Sequence, residues 1–307
     1  MIQAVVIIII FIIIIIFIIS YIVTRRLMYP RVRDESTVLE RELDLNRFPV
    51  EFYDTLEKEE VTINSNFGYQ LSCLVLNNEQ TLRKENDKKV AVFCHGYKCS
   101  KTAAVVYAKI LMDLGFTAVL YDHRNHGRSG KHFTSMGYYE KVDLKKVVDW
   151  CYQTYGDDIR IVLHGESMGA TTVLNYLVLD DRMAAVIADC GYSDLSELLK
   201  YQMRKYYHLP YQIFLPMVNM ILKLRAGFGL RDVAAMAGVT HSDTPILFIH
   251  GDADDYVPYQ MSIEMYQKKK RAKELYLAKN AIHAQACVVD LEQYTQVVKA
   301  FIAKYYS

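Results

Sequence analysis

One short segment of the chain has the residue types and spacing of a nucleophile held ready for attack. An apolar run at residues 159–163 predicts a buried strand, and the apolar positions of residues 170–177 recur at helical spacing. Between them, Gly165 and Gly169 flank Ser167 in a Gly-x-Ser-x-Gly pattern. Glycines at these positions permit a sharp turn that leaves the serine hydroxyl exposed above a sheet. Free N–H groups at the start of the following helix favour an oxyanion at the same place.

The loop after an earlier predicted strand can face this serine. It contains His95, Gly96 and Tyr97, where the glycine permits a tight turn and the Tyr97 N–H can point into the pocket beside that of Met168. Two such donors form an oxyanion hole, in which each is typically worth about 3 kcal/mol in the transition state. We interpret His95 itself as a turn residue that hydrogen-bonds the loop.

Two later loops supply a candidate acid and a candidate base. One contains Asp252, Asp254 and Asp255, each of which can orient an imidazole or cap the next helix. His283 follows the last predicted strand and is the only histidine after His250, so it is the natural general base. Taken alone, a late loop histidine is more often an ordinary surface residue, and a Gly-x-Ser-x-Gly pattern can arise by chance in a loop. The chain order of serine, aspartate and histidine favours the catalytic interpretation.

Alternating strands and helices must position these loops. Four predicted strands each precede a helix and two more complete the sheet: 90–94, 117–121, 159–163, 184–188, 245–250 and 274–277. This order predicts the α/β class with a doubly wound, mostly parallel sheet, which binds ligands beyond the carboxyl ends of its strands. A hairpin of strands at 61–64 and 70–76 comes first, followed by a polar surface loop at 77–89. Residues 192–241 predict a helical cap, and residues 291–305 an amphipathic closing helix.

The chain begins with an uncharged stretch that is almost wholly Ile, Val and Phe. A helix over residues 2–23 is about 33 Å long, enough to cross a bilayer. The stretch is too long for a signal peptide and has no basic residue before it and no cleavage site after it. Four arginines follow it, Arg25, Arg26, Arg31 and Arg33, and by the positive-inside rule they predict a cytoplasmic catalytic domain.

These boundaries divide the chain into three predicted parts. Residues 1–24 form a transmembrane anchor in contact with membrane lipid, and residues 25–60 form a membrane-proximal linker with one short helix. Residues 61–307 form the globular domain, and a chain of 307 residues has room for one such domain but not for two.

Composition argues against several other classes of protein. A net charge of +1 without a basic face, and the lack of a nucleotide-binding glycine loop, predict no nucleic-acid partner. The six scattered cysteines form no Cys-x-x-Cys pair and are expected to be free thiols rather than nucleophiles. Asp122, His123, His126 and His132 lack the regular spacing of metal ligands, so we expect neither a metal nor a cofactor.

From residue 61 onward the chain resembles a single-domain α/β-hydrolase of the bacterial membrane-anchored serine esterase and serine aminopeptidase-like group. Five segments carry the resemblance: His95-Gly96-Tyr97, Asp122 through Ser129, Gly165 through Gly169, His250-Gly251-x-x-Asp254-x-x-Val257-Pro258, and His283. The resemblance implies a triad of Ser167, Asp254 and His283, and it selects Asp254 because the family's acid is third after the glycine of His-Gly.

The resemblance also assigns roles to the loops around the serine. It implies that Tyr97 and Met168 supply the oxyanion N–H groups. It also implies that Asp122, Arg124 and His126 hold their loop by hydrogen bonds. Asn125 stands where the related loop usually has glycine, and asparagine tolerates a positive φ better than most residues.

We therefore expect a serine hydrolase that cleaves a carboxylic ester or related acyl bond of a small molecule. A peptidase or thioesterase on the same triad remains an alternative, as does a binding scaffold without turnover. The apolar residues 213–222 either line an acyl pocket or form the buried face of a cap helix. If they line the pocket, we predict a preference for short to medium acyl groups.

Overall fold

A central sheet of eight strands organises the computed structural model, which describes residues 1–77 and 89–306. The strands are β1 (Glu57–Asn64), β2 (Gln70–Asn77), β3 (Lys89–Cys94), β4 (Phe116–Tyr121), β5 (Arg160–Glu166), β6 (Ala185–Asp189), β7 (Ile246–Gly251) and β8 (Lys273–Ala278). Their order across the sheet is β1-β2-β4-β3-β5-β6-β7-β8. The pairs β1-β2 and β2-β4 are antiparallel and the other neighbours are parallel, which confirms the predicted class. The loop predicted at 77–89 falls almost entirely outside the described residues.

Helices surround this sheet. They are α1 (Ile2–Met28), α2 (Glu35–Asp44), α3 (Val50–Asp54), α4 (Val105–Met112), α5 (Glu140–Tyr155), α6 (Met168–Tyr176), α7 (Leu195–Tyr206), α8 (Tyr211–Ala226), α9 (Met236–His241), α10 (Gln260–Lys268), α11 (Ala286–Val289) and α12 (Leu291–Tyr305). Two short 3₁₀ helices lie at Lys101–Ala104 and Leu230–Asp232.

Alternate residues of the central strands enter two separate cores. In β3, Ala91 and Phe93 join the core formed with α4 and α12, whereas Val90 and Val92 join the core formed with α5 and α6. Strands of a parallel sheet that are covered on both faces are apolar along their whole length. This is why continuous apolar runs, rather than alternation, predicted them.

The order of the strands reverses at β3. Cys94 at the end of β3 lies opposite Tyr121 of β4 on one side and Gly165 of β5 on the other. Loops that leave β3 and β5 therefore diverge and open a crevice at the carboxyl edge of the sheet, where such folds bind ligands. The predicted serine turn and the His95 loop both lie at this crevice, since Gly169 packs against the backbone of Cys94 and His95.

Helix α1 has two different environments along its length. It is long and apolar enough to cross a membrane, and it continues to Met28, past the predicted end at residue 23. Residues 2–15 are exposed, whereas Ser20, Thr24 and Met28 are buried against the rest of the protein. The end of the helix is therefore part of the globular structure.

The segment expected to be a linker is more structured than predicted. It contains two helices, α2 and α3, rather than one, and β1 begins within it at Glu57. Asp34 caps α2 by accepting a hydrogen bond from the Thr37 N–H at 2.8 Å. Val38 packs against the loop after β3, and Phe48 joins the core beside α4. Because charged residues dominate this segment, its few core-facing residues were not recognised from sequence.

The cap is formed by α7 and α8. A β-bridge between Asp194 and Ala234 closes its base. Helix α9, which was predicted within the cap, instead packs on α6, so closely that a side chain at Gly238 would lie 1.8 Å from the Leu174 carbonyl. The cap therefore ends before α9, because glycine permits that helix to rest on the body of the domain.

Candidate active site

Ser167 lies in a strained turn between β5 and α6. Its φ of 55° and ψ of −112° are rare for a residue with a side chain. A Cβ at Gly165 would lie 2.3 Å from the Gly169 carbonyl oxygen, and one at Gly169 would lie 2.0 Å from that of Cys94. The Ser167 N–H is held by the Asp189 carbonyl at 2.8 Å. These close contacts hold the hydroxyl at the crevice.

The three residues of the predicted triad meet through hydrogen bonds. The Ser167 hydroxyl lies 2.9 Å from Nε2 of His283, and Nδ1 of His283 lies 2.7 Å from Oδ2 of Asp254. Because the carboxylate can only accept, Nδ1 carries the proton and Nε2 has a free lone pair toward the hydroxyl. This tautomer is the one that a general base requires.

Only one of the three aspartates of the β7 loop reaches His283. Asp252 instead accepts the Asn280 N–H at 2.6 Å, and Asp255 is exposed and pairs with Lys205 at 3.3 Å. Oδ1 of Asp254 accepts the backbone N–H groups of residues 256 and 257, both at 2.9 Å. The loop thus fixes the buried carboxylate while leaving its other oxygen for the imidazole.

His250 is a second partner of this carboxylate that sequence reasoning missed. Its Nε2 donates a hydrogen bond that is shared between Asp254 Oδ2 at 3.1 Å and the Val257 carbonyl at 3.0 Å. Its Nδ1 accepts from the Ser262 hydroxyl at 2.7 Å. Burial would raise the pKa of the Asp254 carboxyl, but hydrogen bonds from His250 and His283 outweigh it and hold that pKa below its usual range. The sequence feature that could have pointed to His250 is the His-Gly pair at the end of β7.

Tyr97 and Met168 line the cavity at Ser167, and among the described residues their backbone N–H groups have no protein acceptor. Met168 is the first residue of α6, where intrahelical partners are lacking. His95 shapes the Tyr97 loop as predicted, since its Nδ1 donates to the Gly96 carbonyl at 2.7 Å and its Nε2 accepts the His123 N–H at 3.0 Å.

The histidine-rich loop after β4 is held by its own hydrogen bonds. Asp122 accepts the backbone N–H groups of Lys101 at 2.7 Å and Arg128 at 2.9 Å. His126 accepts the Lys98 N–H at 3.1 Å. Asn125 has a φ of 62°, the conformation for which asparagine was expected to substitute for glycine. These side chains therefore support the loop that carries Tyr97.

Two buried carboxylates lie beneath the serine turn. Glu166 accepts the Tyr107 hydroxyl at 2.7 Å, and Asp189 accepts the Tyr294 hydroxyl at 3.1 Å. Burial, together with the neighbouring Glu166, raises the pKa of the Asp189 carboxyl to about 7. Sequence reasoning did not single out these residues, because each reads as an ordinary strand end.

Cys190 lies beside the triad but is not activated. Its Sγ and the ligand atoms of Asp254 and His283 all lie within 4.8 Å of one another. Burial raises the pKa of the Cys190 thiol well above its usual value, so the group stays a protonated thiol at neutral pH.

A cavity of about 40 Å³ lies above Ser167. Its apolar walls come from α7 and from the end of α1, through Leu195, Leu198, Leu199 and Leu27. The stretch 213–222 does not line this cavity; it belongs to α8, which packs against α1. Four of its apolar residues form the buried face of a cap helix: Phe214, Val218, Ile221 and Leu222. The predicted acyl-length preference therefore has no support from this stretch.

A mostly parallel eight-stranded sheet with a serine turn after its central strand defines the α/β-hydrolase class. Residues 104–306 match the prolyl oligopeptidase family, and the chain belongs to this family. It is 32% identical to the Bacillus subtilis protein YqkD over 92% of both chains. It is also 27% identical to YitV of the same organism, described as a putative esterase, over 59% of this chain and 74% of that one.

A solved structure shares the fold. The esterase PF2001 of Pyrococcus furiosus superposes with a TM-score of 0.68 and 23% sequence identity. The match covers 92% of this chain and 98% of that one, and it supports the assignment of the fold.

Proposed function

We propose that the protein is a membrane-anchored serine hydrolase that cleaves a carboxylic ester of a small molecule through an acyl-enzyme. The proposal rests on the hydrogen-bond chain from Ser167 through His283 to Asp254, with distances of 2.9 and 2.7 Å. A hydroxyl is a weak nucleophile unless a neighbouring base removes its proton, and this arrangement supplies that base.

The residues have distinct roles in the proposed reaction. Ser167 Oγ attacks the acyl carbonyl as its proton passes to His283 Nε2, and the Asp254 carboxylate stabilises the imidazolium that results. The N–H groups of Tyr97 and Met168 stabilise the oxyanion. His283 then donates its proton to the departing alcohol. A water molecule that His283 deprotonates attacks the acyl-enzyme, and His283 returns that proton to Ser167 Oγ as the acid leaves.

Helix α1 is the proposed anchor. Its exposed residues 2–15 carry no charge, and Arg25 and Arg26 lie in its last turn. Basic residues that follow a span remain preferentially in the cytoplasm, which supports a cytoplasmic catalytic domain.

A peptidase is the second candidate. The family to which the chain belongs is named for an oligopeptidase, and the same triad serves esters, thioesters and amides. The difference lies in how the pocket accommodates the leaving group.

The full chain in detergent micelles tests both candidates. We expect the wild type to hydrolyse p-nitrophenyl esters and Ser167→Ala to lose about 10⁶-fold in kcat, as in other serine hydrolases. Turnover of aminoacyl p-nitroanilides alone would favour the peptidase. A folded protein that neither hydrolyses these substrates nor reacts with a fluorophosphonate probe would be a binding scaffold.

A further inference from the structure

The end of helix α1 is built into the candidate site. The Tyr97 hydroxyl donates to the main-chain carbonyls of Arg26 at 2.6 Å and Leu27 at 3.1 Å, which are free acceptors at the end of the helix. Tyr97 lines the cavity at Ser167, and its backbone N–H is one of the two proposed oxyanion donors. A helix that can cross a bilayer is therefore joined by hydrogen bonds to the proposed oxyanion loop.

A second cavity extends from this junction. We name it the anchor groove; it has a volume of about 420 Å³ and lies between the end of α1, the loop after β3 and the cap helix α7. Its apolar walls are Val23, Leu27, Tyr97, Leu199, Met203 and Leu209. Three of these residues, Leu27, Tyr97 and Leu199, also line the cavity above Ser167. The volume is within the usual range of small-ligand sites, about 300–1,000 Å³.

The rim of the anchor groove is cationic. It carries Arg26 and Arg31 from the segment around the end of α1 and Lys98 from the loop after β3. All three are exposed, and none has a carboxylate within 4.0 Å among the described residues. Lys98 is distant in sequence from the arginines that flank the apolar span, so the fold gathers these charges around the groove.

We propose that the substrate is an anionic, single-chain acyl amphiphile that reaches Ser167 from the membrane through the anchor groove. This inference rests on the proposed function. The apolar walls suit an acyl chain, the cationic rim suits a phosphate or carboxylate head, and the shared walls lead to the serine. Because α1 places the groove where the span ends, an amphiphile can enter from the bilayer surface without crossing water.

The first experiment measures binding of amphiphilic probes to a variant that lacks the nucleophile. The full-length Ser167→Ala protein in phosphatidylcholine nanodiscs is titrated with 11-(dansylamino)undecanoic acid and with its neutral methyl ester. We expect the acid to bind about tenfold more tightly than the ester, and the double variant Arg26→Gln/Arg31→Gln to remove that difference. Arg41→Gln, an exposed arginine on α2 outside the groove, is the matched control and is expected to retain it.

The apolar part of the groove has its own pair of variants. Leu209→Trp fills the groove and is expected to weaken both probes by about tenfold. Leu224→Trp places the same side chain on the exposed side of the cap helix α8, where Leu224 is 78% exposed, and is expected to bind as before. Equal affinity for acid and ester, or equal effects of both tryptophans, would overturn the inference.

Turnover separates the inference from the proposed function. The wild type is given phosphatidylcholine vesicles that contain either palmitoyl-lysophosphatidylglycerol or palmitoyl-lysophosphatidylcholine. Release of palmitate from each lysolipid is measured beside hydrolysis of soluble p-nitrophenyl butyrate. We expect the anionic lysolipid to react about tenfold faster. Equal rates with active butyrate hydrolysis would overturn the inference alone. Without Ser167-dependent hydrolysis of any ester the proposed function fails, and the substrate claim fails with it.

Discussion

Arg47 donates a hydrogen bond to the main-chain carbonyl of Ala284, the residue after His283, at 2.8 Å. Its guanidinium also contacts Glu42 at 2.6 Å, and both side chains are buried. Ala284 has a φ of 58°, a conformation that alanine disfavours. The segment before the first strand thus stabilises the strained loop that carries the imidazole.

We expect Arg47→Met to lower both stability and turnover. Loss of one partner leaves Glu42 buried without its counter-ion, which typically costs about 3–5 kcal/mol. In the double variant Glu42→Leu/Arg47→Met, an apolar pair replaces the ions and stability returns, but kcat stays low because the Ala284 carbonyl still lacks its donor. Thermal unfolding and ester hydrolysis measure the two effects. Recovery of kcat together with the melting temperature would show that Arg47 does not position the loop.

His250 is expected to act as a positioning residue for Asp254. His250→Phe removes a hydrogen bond to a charged group, worth about 1.5–3 kcal/mol, so we expect kcat to fall about tenfold. The pKa of Asp254 rises without this donor, and the variant should therefore lose activity at a higher pH than the wild type as the solution is acidified. His250→Gln keeps a donor and is expected to retain more activity. Identical pH profiles for wild type and His250→Phe would contradict this role.

Asp189 makes stability depend on pH. Its pKa is about 7 in the folded protein against 3.8 as the ordinary value, so the native state keeps a proton that the unfolded chain loses. Between about pH 4 and 7 the wild type therefore loses stability as pH rises, by on the order of 1.4 kcal/mol per pH unit from this group. Asp189→Asn should remove that part of the slope. Denaturant unfolding at pH 5 and pH 7 tests this, and parallel profiles for the two proteins would refute it.

We expect a substitution of Gly96 to affect turnover more than folding. A Cβ there would lie 2.9 Å from Glu166 Oε1 and 3.7 Å from the Ser167 Cβ, so alanine must displace either the buried Glu166 carboxylate beneath Ser167 or the loop that presents the Tyr97 N–H. We expect Gly96→Ala to lower kcat about 100-fold, the effect of losing one oxyanion donor. Gly68→Ala, at a φ of 81° in the β1-β2 hairpin, is the control: it strains a distant turn and should cost stability but not kcat. Equal losses of kcat in the two variants would point to general destabilisation.

Truncation of α1 should have different effects at its two ends. Removal of residues 2–15, which are exposed, is expected to release the protein from membranes without changing its melting temperature. Removal of residues 1–33 also deletes Met28, which is buried against the cap, and should lower the melting temperature. Membrane flotation of the two truncated chains measures their membrane association, and thermal unfolding measures their stability. Equal melting temperatures would mean that the end of α1 does not pack on the cap.

Patterns local in the chain were sufficient for much of the fold. Apolar runs predicted β3 and β5, because a strand covered on both faces must be apolar throughout. The glycines around Ser167 predicted its turn. A turn this sharp brings backbone atoms so close to these positions that only a residue without a side chain fits. Residues 25–60 were predicted less well, since Val38 and Phe48 lie in a charged segment whose apolar residues follow no regular pattern.

The sequence by itself determined the type of nucleophile turn, the apolar span and the order of serine, aspartate and histidine. Only the tertiary structure decided that Asp254 has a second donor in His250, that Arg47 supports the His283 loop, and that Leu27 lines the cavity above Ser167. These contacts join residues far apart in the chain, and the partner of a buried charge or the wall of a cavity depends on how helices pack. Local periodicity carries no information about such packing.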